Sequence, residues 1–139
     1  MLLYTNATKF LVKVDDDSFL NLPKLSKLLL QQSVNGATKK IFGRLFKKAI
    51  AYSPKGEKEK QEKYLRKWKT PTYMYNQSHY PSYMCGACYI MTYSAVECLL
   101  KKSMDVLYYP FEDIYLTGFT ADVCNITKVH LAGHLKLPI

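Results

Sequence analysis

An α/β domain is what this sequence predicts, and three observations carry the prediction. KFLVKV, residues 9–14, reads as a short buried strand that runs straight into Asp15-Asp16-Asp17. A leucine-rich segment after Pro23 repeats at helical spacing, and YIMTYSAVECLLKK passes from a strand pattern into a helix pattern.

Taken in order, the first strand puts Phe10, Val12 and Val14 on one face and Leu11 on the other, as in a strand covered on both sides. Pro23 suits the first turn of a helix, Leu22, Leu25, Leu28 and Leu29 form its apolar stripe, and Asn35-Gly36 ends it. This is an amphipathic helix laid on a sheet. KIFGRLFKKAIAY, 40–52, contains a strand, after which Ser53-Pro54 and Gly56 open a charged segment. TPTYMYNQSHYPSYMCGACY, 70–89, mixes tyrosines with turn formers and reads as a loop that touches a ligand or covers a core. The helix that follows turns Val96, Leu99 and Leu100 inward. Pro110 precedes another, with Glu112 and Asp113 in its first turn and Ile114, Phe119 and Val123 as its inner face. KVHLAGH, 128–134, closes as a strand.

The net charge of +9 belongs to one segment. Residues 39–69 hold 12 of the 20 Lys and Arg and 3 of the 11 Asp and Glu, so the rest of the chain is neutral. Residues 53–69 read as a lysine-rich surface segment, and no nucleic-acid recognition module accompanies it. No stretch approaches the roughly 18 apolar residues of a membrane span. Acceptor triplets for N-glycosylation at Asn6, Asn76 and Asn125 point to the secretory lumen, where the 4 cysteines are compatible with disulfides in any of three pairings.

Chemistry concentrates in a few places. Carboxylates clustered at a strand end repel one another, and a hard divalent cation such as Mn²⁺ or Mg²⁺ relieves that repulsion while bridging a diphosphate. Alternation lets Asp15 and Asp17 point one way and Asp16 the other. Glu112-Asp113 complements the dipole of its helix and is also able to take a proton from a bound hydroxyl. Cys85-Gly-Ala-Cys88 lacks the second pair of a zinc site and the βαβ setting of a redox site. Gly86 suits a close approach of the backbone to a ligand or another segment. His130 and His134 are structural or complete a metal shell.

In sequence, FLVKVDDDSFLNLPKL, IFGRLFKKA, KWKTPTYMYNQSHYPSYMCGACYIMT and YYPFEDIYLTGFTADVCNI resemble the β-1,3-galactosyltransferase family of inverting glycosyltransferases. That family also holds β-1,3-N-acetylglucosaminyltransferases and is related to Fringe. The resemblance covers residues 9–126 and implies a GT-A fold, with residues 1–139 as the C-terminal part of a catalytic domain whose first strands are missing. It implies a hexosyltransferase that moves galactose or N-acetylglucosamine from a UDP-sugar to a glycan hydroxyl on a glycoprotein or glycolipid. The reaction inverts the anomeric carbon, needs Mn²⁺, forms a β-1,3 linkage and takes place on the lumenal side of the Golgi membrane. By the same resemblance Asp17 and Asp15 fall on the metal and diphosphate motif, with Asp16 toward the ribose or sugar. Asp113 falls on the general base, with Glu112 beside it. Trp68, Tyr80, Pro81, Tyr83, Gly86 and Tyr89 line the donor and acceptor cleft, and His130 or His134 is a further metal ligand.

Two departures accompany the resemblance. Cys88 stands where the family has a second glycine, adding a side chain that alters the site. Family members also carry a membrane anchor, a stem and uracil-binding strands upstream, whereas this sequence has only residues 1–8 ahead of the strand that runs into the aspartates. The sequence thus reads as a fragment of a type II Golgi enzyme, or as a truncated, inactive paralogue. A basic nucleic-acid binder acting through residues 39–69 is the remaining alternative.

Overall fold

Alternation in the first strand decides how the layers stack. The computed structural model describes residues 8–31, 38–51, 68 and 70–131. In it β1 (Phe10–Val14), β2 (Lys40–Phe46), β3 (Tyr83–Thr92) and β4 (Thr127–His130) form one mixed sheet in the order β1-β3-β2-β4. The β1·β3 and β2·β3 pairs are antiparallel, and β2·β4 is parallel. Val12, Ile90, Phe42 and Val129 share one row across the sheet, and Leu11, Met91 and Ile41 share the next. Neighbouring rows face opposite sides, so the sheet needs cover on both.

Helix α1 (Leu22–Gln31) covers the first face, with Leu25, Leu28 and Leu29 against Phe10, Val12, Phe42 and Ile90. Asn21 starts it by accepting the Lys24 N–H at 3.0 Å, an N-cap bond. Leu22 precedes the packed stripe and is exposed, contrary to the expected burial. The second face is covered by α2 (Tyr93–Lys102) and by a π-helix, Asp113–Thr120, continued by the short α3 (Ala121–Val123). A disulfide between Cys98 and Cys124 ties α2 to the end of α3, one of the three pairings open in the sequence.

Three expectations are corrected. Residues 83–89 belong to a central strand rather than a loop, because Met84, Tyr89, Ile90 and Met91 are all buried between layers and a two-sided strand loses the alternation that marks one. Leu100 points to solvent, since Ala95, Val96 and Leu99 already fill the sheet-facing side of α2. Val123 is exposed as well. The wide i to i+5 turns of the π-helix change the phase of the inner face, so Ile114 is buried as expected but Thr117, Gly118 and Ala121 take the place of Val123. Residues 53–67, Asn35-Gly36, Asn6 and His134 lie outside the described residues.

Candidate active site

The π-helix stands over β3, and its first residues meet the strand where β1 has ended. β1 stops at Val14, opposite Cys88, so Gly86 lies past the end of that pairing. Its carbonyl accepts a hydrogen bond from Lys13 Nζ, and its N–H donates to the Asp113 carboxylate. Asp113 Oδ1 also accepts the Ile114 N–H at 2.8 Å. The Met84 N–H donates to Thr117 Oγ1 at 2.8 Å, fixing the π-helix to β3 one turn further on.

Lys13, Tyr89, Gly43 and His130 occupy one row across all four strands. Gly43 contributes no side chain, and a Cβ there would lie 3.2 Å from that of Tyr89, so the missing side chain leaves room for the tyrosine. Tyr89 is 1% exposed and donates its hydroxyl to Glu112 Oε1. Lys13 Nζ pairs with Asp15 Oδ1, stands 3.8 Å from Glu112 Oε2, and lies 5.8 Å from the centre of the Tyr89 ring. The fold therefore brings the aspartate motif and the Glu112-Asp113 pair together, with Lys13 between them. Lys13 was not singled out in the sequence. A charged residue inside an otherwise apolar strand, two positions before an aspartate and hence on the same face, was the available signal.

The two carboxylates of the pair have different surroundings. Burial raises Asp113 above the ordinary carboxylate value, helped by the charge of Glu112 and opposed by the N–H groups of Ile114 and Gly86. Glu112 is taken up by Tyr89 and Lys13 instead. Burial first, and the Glu112 bond second, push the Tyr89 phenol far up, so it remains a donor. Burial works to lower Lys13, but the bond to Asp15 and the fields of Glu112, Asp15 and Asp113 outweigh it and leave the ammonium raised.

On the far side of Asp113 lies a cleft of about 430 Å³ lined by Trp68, Tyr80, Tyr83, Phe111 and Asp113 among others. Its aromatic wall is fixed from behind by three buried hydroxyls, with Thr70 Oγ1 3.0 Å from the Tyr80 oxygen and Tyr109 donating to Tyr80 at 2.8 Å. Trp68 and Phe111 meet with ring centres 5.3 Å apart. Of the expected lining residues, Pro81 packs against Gly118, and Tyr89 reaches the site only through its hydroxyl.

The sequence matches the galactosyltransferase family over residues 2–132. The chain belongs to that family. It is 26% identical over 137 residues to beta-1,3-galactosyltransferase bre-2 of Caenorhabditis elegans, covering 94% of this chain and 36% of that protein. It is also 26% identical over 124 residues to N-acetyllactosaminide beta-1,3-N-acetylglucosaminyltransferase 4 of Homo sapiens, covering 89% and 30%. UDP-GlcNAc:betaGal beta-1,3-N-acetylglucosaminyltransferase 8 of Mus musculus is 29% identical over 113 residues, covering 79% and 25%. This galactosyltransferase-family chain thus spans between a quarter and about a third of the length of these relatives.

Other candidates lie apart from the cluster. Asp16 and Asp17 are exposed in the turn after β1, where Ser18 Oγ donates to Asp17 at 3.3 Å. His130 stands two strands beyond Tyr89, about 14 Å from Lys13 at ordinary strand spacing. Its Nδ1 accepts the Leu45 N–H at 3.0 Å, a bond that engages the ring within the sheet. Cys88 is buried next to Tyr89 in β3; burial chiefly pushes its thiol up, and the charges of Lys13 and Asp15 also act on it. Asn76 and Asn125 are both exposed, the latter at φ 51° in the turn before β4. Among the described residues no helix is long and apolar enough to cross a membrane, and no three His, Cys, Asp or Glu side chains are grouped to hold a metal ion.

Proposed function

We propose that residues 1–139 form part of a GT-A catalytic domain that transfers galactose or N-acetylglucosamine from a UDP-sugar to a glycan hydroxyl, with inversion and β-1,3 linkage. The observation that carries this reading is the desolvated Asp113 carboxylate at the head of an aromatic cleft, a few side chains from Asp15. Aromatic walls suit the apolar faces of a sugar, and a carboxylate raised by burial is the better base for a hydroxyl. The acceptor enters along Trp68, Tyr83 and Phe111. Asp113 takes the proton of its hydroxyl, whose oxygen bonds to the anomeric carbon as the bond to UDP breaks on the opposite face. Tyr89 and Lys13 hold Glu112 beside the acceptor and keep it from that proton.

Two carboxylates at the end of β1 offer the oxygen ligands that a hard divalent cation takes. Asp15 is partly open to solvent, Asp17 is exposed two residues on, and such ions commonly take one or two carboxylates and complete their shell with phosphate oxygens. Asp15 and Asp17 would hold Mn²⁺, which when bound neutralises the departing diphosphate. The disulfide and the exposed acceptor asparagines support a place on the lumenal side of the Golgi membrane. The test is Asp113→Asn in the protein that carries this chain: transfer should be lost while UDP binding persists. Loss of both together would remove Asp113 from the role of base.

A further inference from the structure

Lys13 is the cation around which the two acidic motifs meet. Its ammonium touches Asp15 Oδ1 and the Gly86 carbonyl, and Glu112 Oε2 lies 3.8 Å away. The lysine side chain is 28% exposed and that of Asp15 42%, so a ligand arriving from solvent reaches the carboxylate more readily than the ammonium. A partly exposed ion pair of this kind is weak enough for a divalent cation to displace.

We propose that Lys13 is the resident counter-ion of the acidic cluster beside the cleft: it neutralises Asp15 while the site is empty, yields Asp15 to the divalent cation, and turns its ammonium to the incoming diphosphate. The inference rests on the proposed reading of this region as a UDP-sugar site. Two cations on one carboxylate oxygen repel each other, so the lysine competes with a metal that arrives alone. The same charge attracts a diphosphate that arrives without metal. Lys13 is thus a positioning residue that sets the order in which charges are exchanged, and it takes no proton in the transfer.

The test compares the protein that carries this chain, unaltered, with its Lys13→Met and Lys13→Arg forms, titrating each with Mn²⁺ alone, UDP alone, and UDP with Mn²⁺. Lys13→Met should bind Mn²⁺ alone about tenfold more tightly and UDP alone about tenfold more weakly, as expected for the loss of one nearby charge. Lys13→Arg keeps the charge and should stay within about threefold of the unaltered chain for both. Should Lys13→Met fail to fold, Lys13→Gln carries the same expectation. A folded neutral variant with unchanged or weaker Mn²⁺ affinity overturns the proposal, as does the absence of Mn²⁺ binding to any of the proteins. If Mn²⁺ distinguishes the variants but UDP binds none of them, the counter-ion role on Asp15 stands and the UDP-sugar reading falls. If UDP with Mn²⁺ binds normally and Lys13→Met gains nothing for Mn²⁺ alone, the counter-ion role falls and the reading stands.

Discussion

The backbone of Gly86 lies against the Asp113 carboxylate so closely that a Cβ on Gly86 would meet Asp113 Oδ2 at 3.3 Å. The carboxylate has little room to retreat, because the N–H groups of Ile114 and of Gly86 itself hold it in place. Gly86→Ala should therefore shift Asp113, the proposed base, by a few tenths of an ångström while leaving the sheet intact. Misplacement on this scale lowers kcat about tenfold. The melting temperature should stay within about 3 °C of the unaltered protein, as for a change worth less than about 1 kcal/mol. A rate that survives Gly86→Ala would mean that this contact does not position the base.

The raised value of Asp113 also fixes two pH dependences. Burial is the main cause, so the folded chain holds this proton more tightly than the unfolded chain does. The contribution of Asp113 to stability is complete below its ordinary value of 3.8 and is lost as pH rises through the raised value. Asp113→Asn has no such loss, so its stability relative to the unaltered protein should improve as pH rises across that window. With Asp113 as the proposed base, transfer needs its deprotonated form, so kcat should fall on the acid side with a midpoint above 3.8. Melting temperature and kcat measured across pH check both, and an acid limb at or below the ordinary value would contradict them.

How far the sequence foretold the molecule depended on whether each face of an element had one job. The first strand was legible because Phe10, Val12 and Leu11 divide between two covered faces, although Val14, expected with Phe10 and Val12, is exposed at its end, and α1 was legible through its packed Leu25, Leu28 and Leu29 stripe. β3 was not legible over residues 83–89, where the register against β2 shifts between the Gly43–Tyr89 and Leu45–Met84 pairs, breaking the alternation, and tyrosines imitated a loop. The acidic motifs stood out individually, yet their meeting depends on a row of residues spread over four strands, which no local pattern encodes. For the same reason Lys13 passed unnoticed, and the sequence had no local basis for choosing between a structural and a ligating His130, whose imidazole accepts the Leu45 N–H.

Trp68 gives a prediction of a different kind, because it forms the wall of the cleft with Phe111 and carries no charge. Removing one aromatic partner costs about 1 kcal/mol of contact with a bound ring or sugar face. Trp68→Ala should raise the acceptor KM about fivefold and leave kcat nearly unchanged, the mark of lost uniform binding. A matched fall in kcat and kcat/KM would instead assign Trp68 to the reacting centre. Steady-state kinetics with varied acceptor separates the two.

The disulfide leads to the last prediction, and its effect should reach beyond stability. Cys98 and Cys124 are 26 residues apart, and the loop they close contains Glu112, Asp113 and the whole π-helix. Closing a loop of that length removes unfolded-chain entropy worth about 3 kcal/mol. Cys98→Ala with Cys124→Ala should therefore lower unfolding free energy by about that amount, measured by denaturant titration. Because the π-helix stays tied to β3 through Met84 and Thr117, and β4 stays tied to Asp122 through Lys128, the site should reassemble once the chain is folded. kcat at low temperature should accordingly remain within about threefold of the unaltered protein, a small change beside the tenfold steps that a displaced base produces. A large loss of kcat in a fully folded, reduced protein would show that the bridge sets the position of Asp113 as well as the stability of the layer that carries it.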